Sequence, residues 1–330
     1  MKAQLITQFG DPSVFELSEM AKPSIKPGHV LIKVYATSVN PVDCKIRSGA
    51  LTAISPDFPA ILHGDFAGII EAVASDVTNF KVKDEVYGCA GGLKGSGGAL
   101  AEFMLADASL IALKPKSLSM LEAAALPLVS ITAWEALFKK ARLAHKNSVL
   151  IHGGLGGVGH IAVQLAKWCG ATVYATVRKN EDCPIVKSMG ADEVINVNEE
   201  EVAAYVTRLT NNKGFDVVFD TVGGSNLDKS FIATAINGSV VTTTSRSTHD
   251  LTPMHIHALS LHVVFMLIPL LENQDRQAHG KILAEIAKIV DAGQLKPLVD
   301  PHQFTLETVQ DAHALLESGK ARGKVVISVG

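Results

Sequence analysis

The stretch IHGGLGGVGHIAVQLAKWCG (151–170) decides how the rest of the chain is read. An apolar run, SVLIHGG (148–154), enters glycines spaced Gly154-x-Gly156-x-x-Gly159, and an amphipathic helical pattern from Val158 to Cys169 follows. The first glycine permits a tight turn, the second lets a pyrophosphate approach the backbone, and the third lets helix and strand pack closely. Free N–H groups where the helix starts, at Gly157 and Val158, then face the phosphates, and the helix dipole favours negative charge there. A glycine-rich turn can also be purely structural. Here strand, loop, helix and next strand stand in order, which is the context a dinucleotide site requires.

Downstream the same rhythm continues. Candidate strands are ATVYATV (171–177), EVINV (193–197), DVVFDTV (216–222), SVVTTT (239–244) and VVFMLI (263–268). Helical patterns lie between them, at 183–189, 199–210 and 226–235. Unbroken Val/Ile runs alternating with helices imply a parallel sheet covered on both faces, the doubly wound Rossmann arrangement. Upstream the chain changes character near residue 120. Short β-rich runs, VLIKVYATSV (30–39), DFAGIIEAVA (65–74), EVYGCAG (85–91) and AEFMLAD (101–107), alternate with Pro, Gly and Asp turns, as in a small antiparallel barrel. The tail carries helices at about 279–292 and 306–318 and a last strand, KVVISV. A six-strand parallel sheet has no place for that strand, so it is assigned to the barrel. The expected organisation is α/β, with a barrel domain of residues 1–121 and 270–330 and a nucleotide domain of residues 122–269.

Composition narrows the function classes. The 330 residues are 47% hydrophobic and 5% aromatic with a formal net charge of −3, so no global field draws the chain to nucleic acid or acidic membranes. Cys44, Cys89, Cys169 and Cys183 lie far apart, without a C-x-x-C pair, and build neither a disulfide framework nor a four-thiolate zinc site. The N-terminus lacks the apolar core of a signal peptide, and Val263–Leu271 is about half a membrane span. A soluble, cytoplasmic, two-domain protein is the expectation.

The end of the second nucleotide-domain strand selects the dinucleotide. An NAD site places Asp or Glu about 20 residues beyond the glycines, on the ribose 2′-hydroxyl. This chain reads ATVYATVRKN, with Thr176 and Val177 where the acid would stand, then Arg178 and Lys179. Two cations and no carboxylate favour NADP(H). The other reading of those cations is an ordinary solvated turn with dual specificity.

Asn40-Pro41-Val42-Asp43, HGDFAGIIEAV (63–73), VKDEVYG (82–88), LEAAALPLVSITAWEAL (121–137), the glycine loop, SMGADEVIN (188–196) and GKARGKVVISV (319–329) span nearly the whole chain. Together they resemble the medium-chain dehydrogenase/reductase superfamily, and within it the zinc-independent quinone oxidoreductases. The NPVD-x-K run, Asn40 to Lys45, is similar to that of the alkenal/enone reductases. The resemblance implies a GroES-like β-barrel catalytic domain beside the Rossmann domain. It implies that the Asn-Pro-x-Asp turn faces the nicotinamide, with Lys45 as a cationic contact, Asn40 as a hydrogen-bond donor and Asp43 holding the loop. Thr132 is implied near the nicotinamide, and Thr221 and Val222 near the adenosine ribose.

Zinc members of the superfamily take ligands from three segments. Here the first reads Thr37-Ser38-Val39-Asn40, the second His63-Gly64-Asp65, and LEAAALPLVS offers no thiol, so no metal is expected. The histidines of MHIHALSLH are read as a polar segment, and Cys44 as structural, with no histidine beside it in sequence. The implied activity is zinc-independent hydride transfer from NADPH to quinones or α,β-unsaturated carbonyls, in a homodimer. Where quinone reductases carry tyrosines this chain has Ala50, Leu51 and Val197, which favours an enone or alkenal. The alternatives are a non-catalytic NADPH-binding protein, crystallin-like or RNA-binding, and a zinc alcohol dehydrogenase with unusual ligands.

Overall fold

Frequent turn residues keep the early strands short, and their apolar alternation makes them pair antiparallel. All 330 residues are described by the computed structural model. They form two compact units, Met1–Leu128 with Leu267–Gly330, and Val129–Met266. In the first unit β1 (Lys2–Leu5) pairs antiparallel with β2 (Glu16–Glu19). Next come β3 (His29–Val39), β4 (Asp65–Val73), β5 (Glu85–Cys89), β6 (Phe103–Asp107) and β7 (Ile111–Leu113). β3 is the hub, paired antiparallel with both β4 and β6. Its register against β4 shifts at Leu31/Ile32 and at Val34/Ala36, and such bulges bend a strand around a barrel.

In the second unit β8 (Ser148–His152), β9 (Thr172–Val177), β10 (Glu193–Asn196), β11 (Phe215–Asp220), β12 (Thr234–Thr242) and β13 (Ser260–Val263) are all parallel, in the order β10-β9-β8-β11-β12-β13. Val149, Leu150, Ile151, Val218 and Phe219 are completely buried, as a sheet covered on both faces requires. The connecting helices are Gly157–Trp168, Cys183–Ser188, Val202–Thr210 and Asn226–Ala233. Strand order reverses at β8, and open parallel sheets bind ligands beyond the carboxyl ends of strands at such a point.

One strand lies elsewhere than expected. The apolar run VVFMLI is not the sixth strand; β13 begins earlier, at Ser260, and pairs Ser239↔Ser260 through Thr242↔Val263. β12 ends at Thr242, so past Val263 there is no ladder left to join. Val264, Met266 and Leu267 instead bury their side chains, and Pro269 opens the short helix Ile268–Glu272. Hydrophobicity marked the burial there but not the pairing.

The tail returns to the first unit. The helix Gln277–Asp291 buries Ile282, Leu283, Ile286, Ile289 and Val290. β14 (Phe304–Thr305) is followed by the helix Val309–Glu317, and β15 (Val325–Ser328) pairs antiparallel with β3, Val325 opposite Val39. The closing strand is therefore part of the barrel sheet, and it lays Lys324 against the end of β3.

Candidate functional site

In the second unit the glycine loop follows β8 directly. Gly153 adopts φ +73°, which favours glycine. Its N–H donates to Thr176 Oγ1 at 3.1 Å, and the Gly154 N–H donates to the Thr176 carbonyl at 2.9 Å. Thr176, which stands where an NAD site has its acid, thus clamps the turn to the end of β9. A Cβ on Gly159 would lie 2.0 Å from the Gly153 carbonyl oxygen, so the third glycine has no space for a side chain. The helix starts at Gly157, and an α-helix leaves the first-turn N–H groups, here those of Gly157, Val158 and Gly159, without intrahelical acceptors. Gly156 is exposed, and Gly157 and Val158 are half-buried.

The neighbouring strand ends complete this rim. Arg178 and Lys179 follow β9 and are exposed; Lys179 makes a loose 3.7 Å pair with Glu181, while the Arg178 guanidinium has no ion-pair partner. After β11, Thr221 Oγ1 donates to the His152 carbonyl at 2.6 Å, and Asp220 accepts the N–H groups of Val222 and Gly223 at 2.8 and 2.9 Å. Val222 is exposed beside them. Strand order thus brings the glycines, Thr176, Arg178, Lys179, Thr221 and Val222 to one end of the sheet. Thr132 is buried in the helix Pro127–Trp134.

In the first unit the Asn-Pro-x-Asp turn opens the helix Pro41–Arg47. Asp43 is buried and accepts the Asn40 N–H at 2.7 Å. Burial, reinforced by the charge of Asp65, pushes its carboxyl up to about 7 although that hydrogen bond opposes the shift. Asn40 is 1% exposed, and its amide is engaged at both ends: Nδ2 donates to Asp65 at 2.8 Å, and Oδ1 accepts from Lys324. Lys45 lies on the same helix, exposed and without an ion-pair partner. The expected donor Asn40 is thus enclosed in the protein, whereas the expected cation Lys45 is open to solvent.

Beneath the turn lies a chain of neutral hydrogen bonds whose direction can be worked out. A carbonyl only accepts, so Thr37 Oγ1 donates to the Asp65 carbonyl at 2.6 Å. The same oxygen then accepts from His63 Nδ1 at 3.2 Å. A neutral His63 presents a lone pair at Nε2, which takes the Nε2–H of His313 at 2.8 Å. His313 Nδ1 is left as an acceptor for the Cys44 thiol at 3.4 Å. Burial holds both imidazoles down, His63 far below 6.5 and His313 to about 3, and pushes Cys44 up to about 12. Cys44 therefore does have a histidine neighbour, contrary to the sequence reading. That histidine is neutral, and the thiol is not activated.

Sequence reasoning missed Asp65, Lys324 and His313 as partners of the turn. Asp65 accepts from Ser38 Oγ, Asn40 Nδ2 and the Leu128 N–H, each at 2.8 Å. The available signal was chemical: a lysine inside the apolar run GKVVISV is unusual unless it is paired. Nothing in one sequence says with what, because 284 residues separate Lys324 from Asn40.

Two family profiles match the chain: "Alcohol dehydrogenase GroES-like domain" over residues 26–116 and "Zinc-binding dehydrogenase" over residues 189–327. The chain is 36% identical to 2-methylene-furan-3-one reductase of Solanum lycopersicum, over 99% of this chain and 79% of the relative. It is 34% identical, with the same coverage, to the chloroplastic NADPH-dependent alkenal/one oxidoreductase of Arabidopsis thaliana. Identity to quinone oxidoreductase of Pongo abelii is 32%, over 99% of this chain and 97% of the relative. The chain belongs to the medium-chain dehydrogenase/reductase superfamily, in its quinone oxidoreductase family. A solved alcohol dehydrogenase superfamily protein from Novosphingobium aromaticivorans shares this family fold at a TM-score of 0.95, with 38% identity and 100% of both chains covered.

The second profile carries zinc in its description, but the residues of this member do not fit the ion. No three His, Cys, Asp or Glu side chains converge as a metal site needs. In the first two ligand segments, both atoms of the Asn40 amide, both His63 ring nitrogens and both Asp65 carboxylate oxygens are held by protein groups. No helix is long and apolar enough to cross a membrane, and all four cysteines are free.

Proposed function

We propose that this protein is an NADPH-dependent reductase that moves hydride, without zinc, to α,β-unsaturated carbonyls or quinones. The observation that carries the cofactor choice is the end of β9, where exposed Arg178 and Lys179 stand with no carboxylate at the preceding two positions. The names of the relatives, an alkenal/one oxidoreductase and a quinone oxidoreductase, support the substrate class.

NADPH, when bound, supplies the hydride. The first-turn N–H groups of Gly157, Val158 and Gly159 would hold its pyrophosphate, with Gly154 and Gly156 leaving the backbone open to it. Thr132, Thr176, Thr221 and Val222 would line the rest of its path. Arg178 and Lys179 would take the 2′-phosphate as charge-assisted donors. On the acceptor side, hydride would add to the β-carbon of an enone or to a quinone ring, negative charge would collect on the oxygen, and solvent would then supply the proton. A cation aimed there lowers the barrier. Lys45 is the exposed cation of the turn, and Asn40 and Asp43 set its place.

The test is to mix the purified protein with NADPH and, in turn, a short 2-alkenal and a para-quinone, following nicotinamide absorbance with and without chelator. Chelator-resistant oxidation is expected. Tight NADPH binding with no turnover of either acceptor would leave a non-catalytic binding protein instead. For the cofactor, Arg178→Ala is expected to weaken NADPH about tenfold, or 1.4 kcal/mol, with NADH nearly unchanged. Equal loss for both means the 2′-phosphate is read elsewhere.

We also read the protein as a cytoplasmic homodimer. β13 is the edge of its sheet, with Val263 exposed at its end and Phe265 exposed just beyond it, and an unpaired edge invites a second copy. Sedimentation velocity showing only monomer removes the dimer from this reading, and fractionation checks the compartment.

A further inference from the structure

Lys324 is 2% exposed, yet its ammonium is the group on which three pieces of chain meet. Nζ donates to the Val39 carbonyl at 3.2 Å and to Asn40 Oδ1, and it lies 3.4 Å from Asp65 Oδ2. Val39 ends β3, Asn40 precedes the helix Pro41–Arg47, and Asp65 begins β4. They belong to two of the three segments from which zinc members of the superfamily draw ligands, and in this chain an ammonium from the C-terminal strand ties them together. The Asn40 N–H is held within the turn by Asp43, but its side chain depends on the same centre as Lys324. Its Nδ2 reaches the Asp65 carboxylate, and Pro41 has no N–H of its own to anchor the turn. The far end of the helix is fixed separately, by Arg47 donating to the Gly10 carbonyl at 2.8 Å and to Glu317.

We propose that Lys324 is a positioning residue: its ammonium fixes the start of the helix Pro41–Arg47 and so the place of Lys45. It touches no substrate in this reading and acts through Asn40. The inference rests on the proposed role of Lys45. Its structural half, that the turn is held by Lys324, can be measured without any turnover.

The experiment compares the full-length wild type with Lys324→Met, Lys324→Met/Asp65→Asn and Lys45→Ala. Each is followed by hydrogen-exchange mass spectrometry and by kinetics with NADPH and a 2-alkenal. The double variant removes both buried charges, so the comparison survives if the single variant does not fold. Both Lys324 variants should exchange faster over residues 40–44, with exchange over 148–177 unchanged. Their kcat should fall about 100-fold, the scale of an ångström-sized misplacement, while NADPH affinity stays within about twofold. Lys45→Ala should lose a similar factor, as for one missing oxyanion donor, with wild-type exchange.

Unchanged exchange over 40–44 in the double variant overturns the proposal. So does recovery of kcat in the double variant, because Lys324 would then merely neutralise Asp65. Loss of NADPH affinity in step with kcat also overturns it, since that marks general damage. If the wild type turns over no acceptor, the reductase reading fails, and the exchange data alone decide whether Lys324 holds the turn.

Discussion

Gly159→Ala should abolish useful dinucleotide binding, weakening NADPH by at least about 100-fold, or 2.7 kcal/mol. The added methyl would stand 2.0 Å from the Gly153 carbonyl oxygen and 3.1 Å from Gly154 Cα. Those atoms cannot retreat cheaply, because Gly153 and Gly154 are hydrogen-bonded to the hydroxyl and carbonyl of Thr176. Something must move, either the helix away from β8 or the turn away from β9. Either motion turns the first-turn N–H groups off a common phosphate. Overpacking of this kind also costs about 1–3 kcal/mol of stability. Gly97→Ala is the control, since its methyl would meet nothing within 4 Å. Isothermal titration with NADPH and thermal melts of both variants check the prediction. Wild-type affinity in Gly159→Ala would mean that the loop is structural and the cofactor binds elsewhere.

The second large effect is acid lability. His63, His313 and His152 are buried, and burial keeps each below the ordinary imidazole value of 6.5, His152 at about 4 and His313 at about 3. Below pH 6.5 the unfolded chain takes up three protons that the native state refuses. Stability is thus fully present above 6.5 and is lost as pH falls toward the folded values. Asp43 works the other way. Its folded value of about 7 lies above the ordinary 3.8, so the native state gains a proton that the unfolded chain does not bind until lower pH. Three refused protons against one gained leave two, a slope of up to roughly 3 kcal/mol per pH unit between roughly pH 6 and 4.5. Denaturant titrations at pH 8, 6.5, 5.5 and 4.5 should show a flat upper region and a steep fall. His313→Leu should make the fall shallower by about one proton. A stability that stays level down to pH 4.5 would mean that these imidazoles are not buried in the neutral form.

Both predictions bear on what was legible beforehand. The glycine spacing, the parallel rhythm after residue 148 and the basic end of β9 were readable because they are local. A turn, a strand and a helix start each answer to residues a few positions apart. VVFMLI was misplaced because apolar runs report burial, and pairing depends on where the neighbouring strand stops. The histidine beside Cys44 was invisible for a related reason: His313 is 269 residues away.

By itself, then, the sequence determined the superfamily, the glycine loop, the basic end of β9 and the candidate turn from Asn40 to Lys45. Covalent order and short-range periodicity carry that information. Only the tertiary structure decided which member of the turn is open to solvent. The resemblance makes Asn40 a hydrogen-bond donor toward the nicotinamide, but β15 lays Lys324 against it and Asp65 closes over it, leaving Lys45 as the exposed cation. A buried charge must find its partner wherever the fold brings one, and that partner is set by strand pairing across the whole chain.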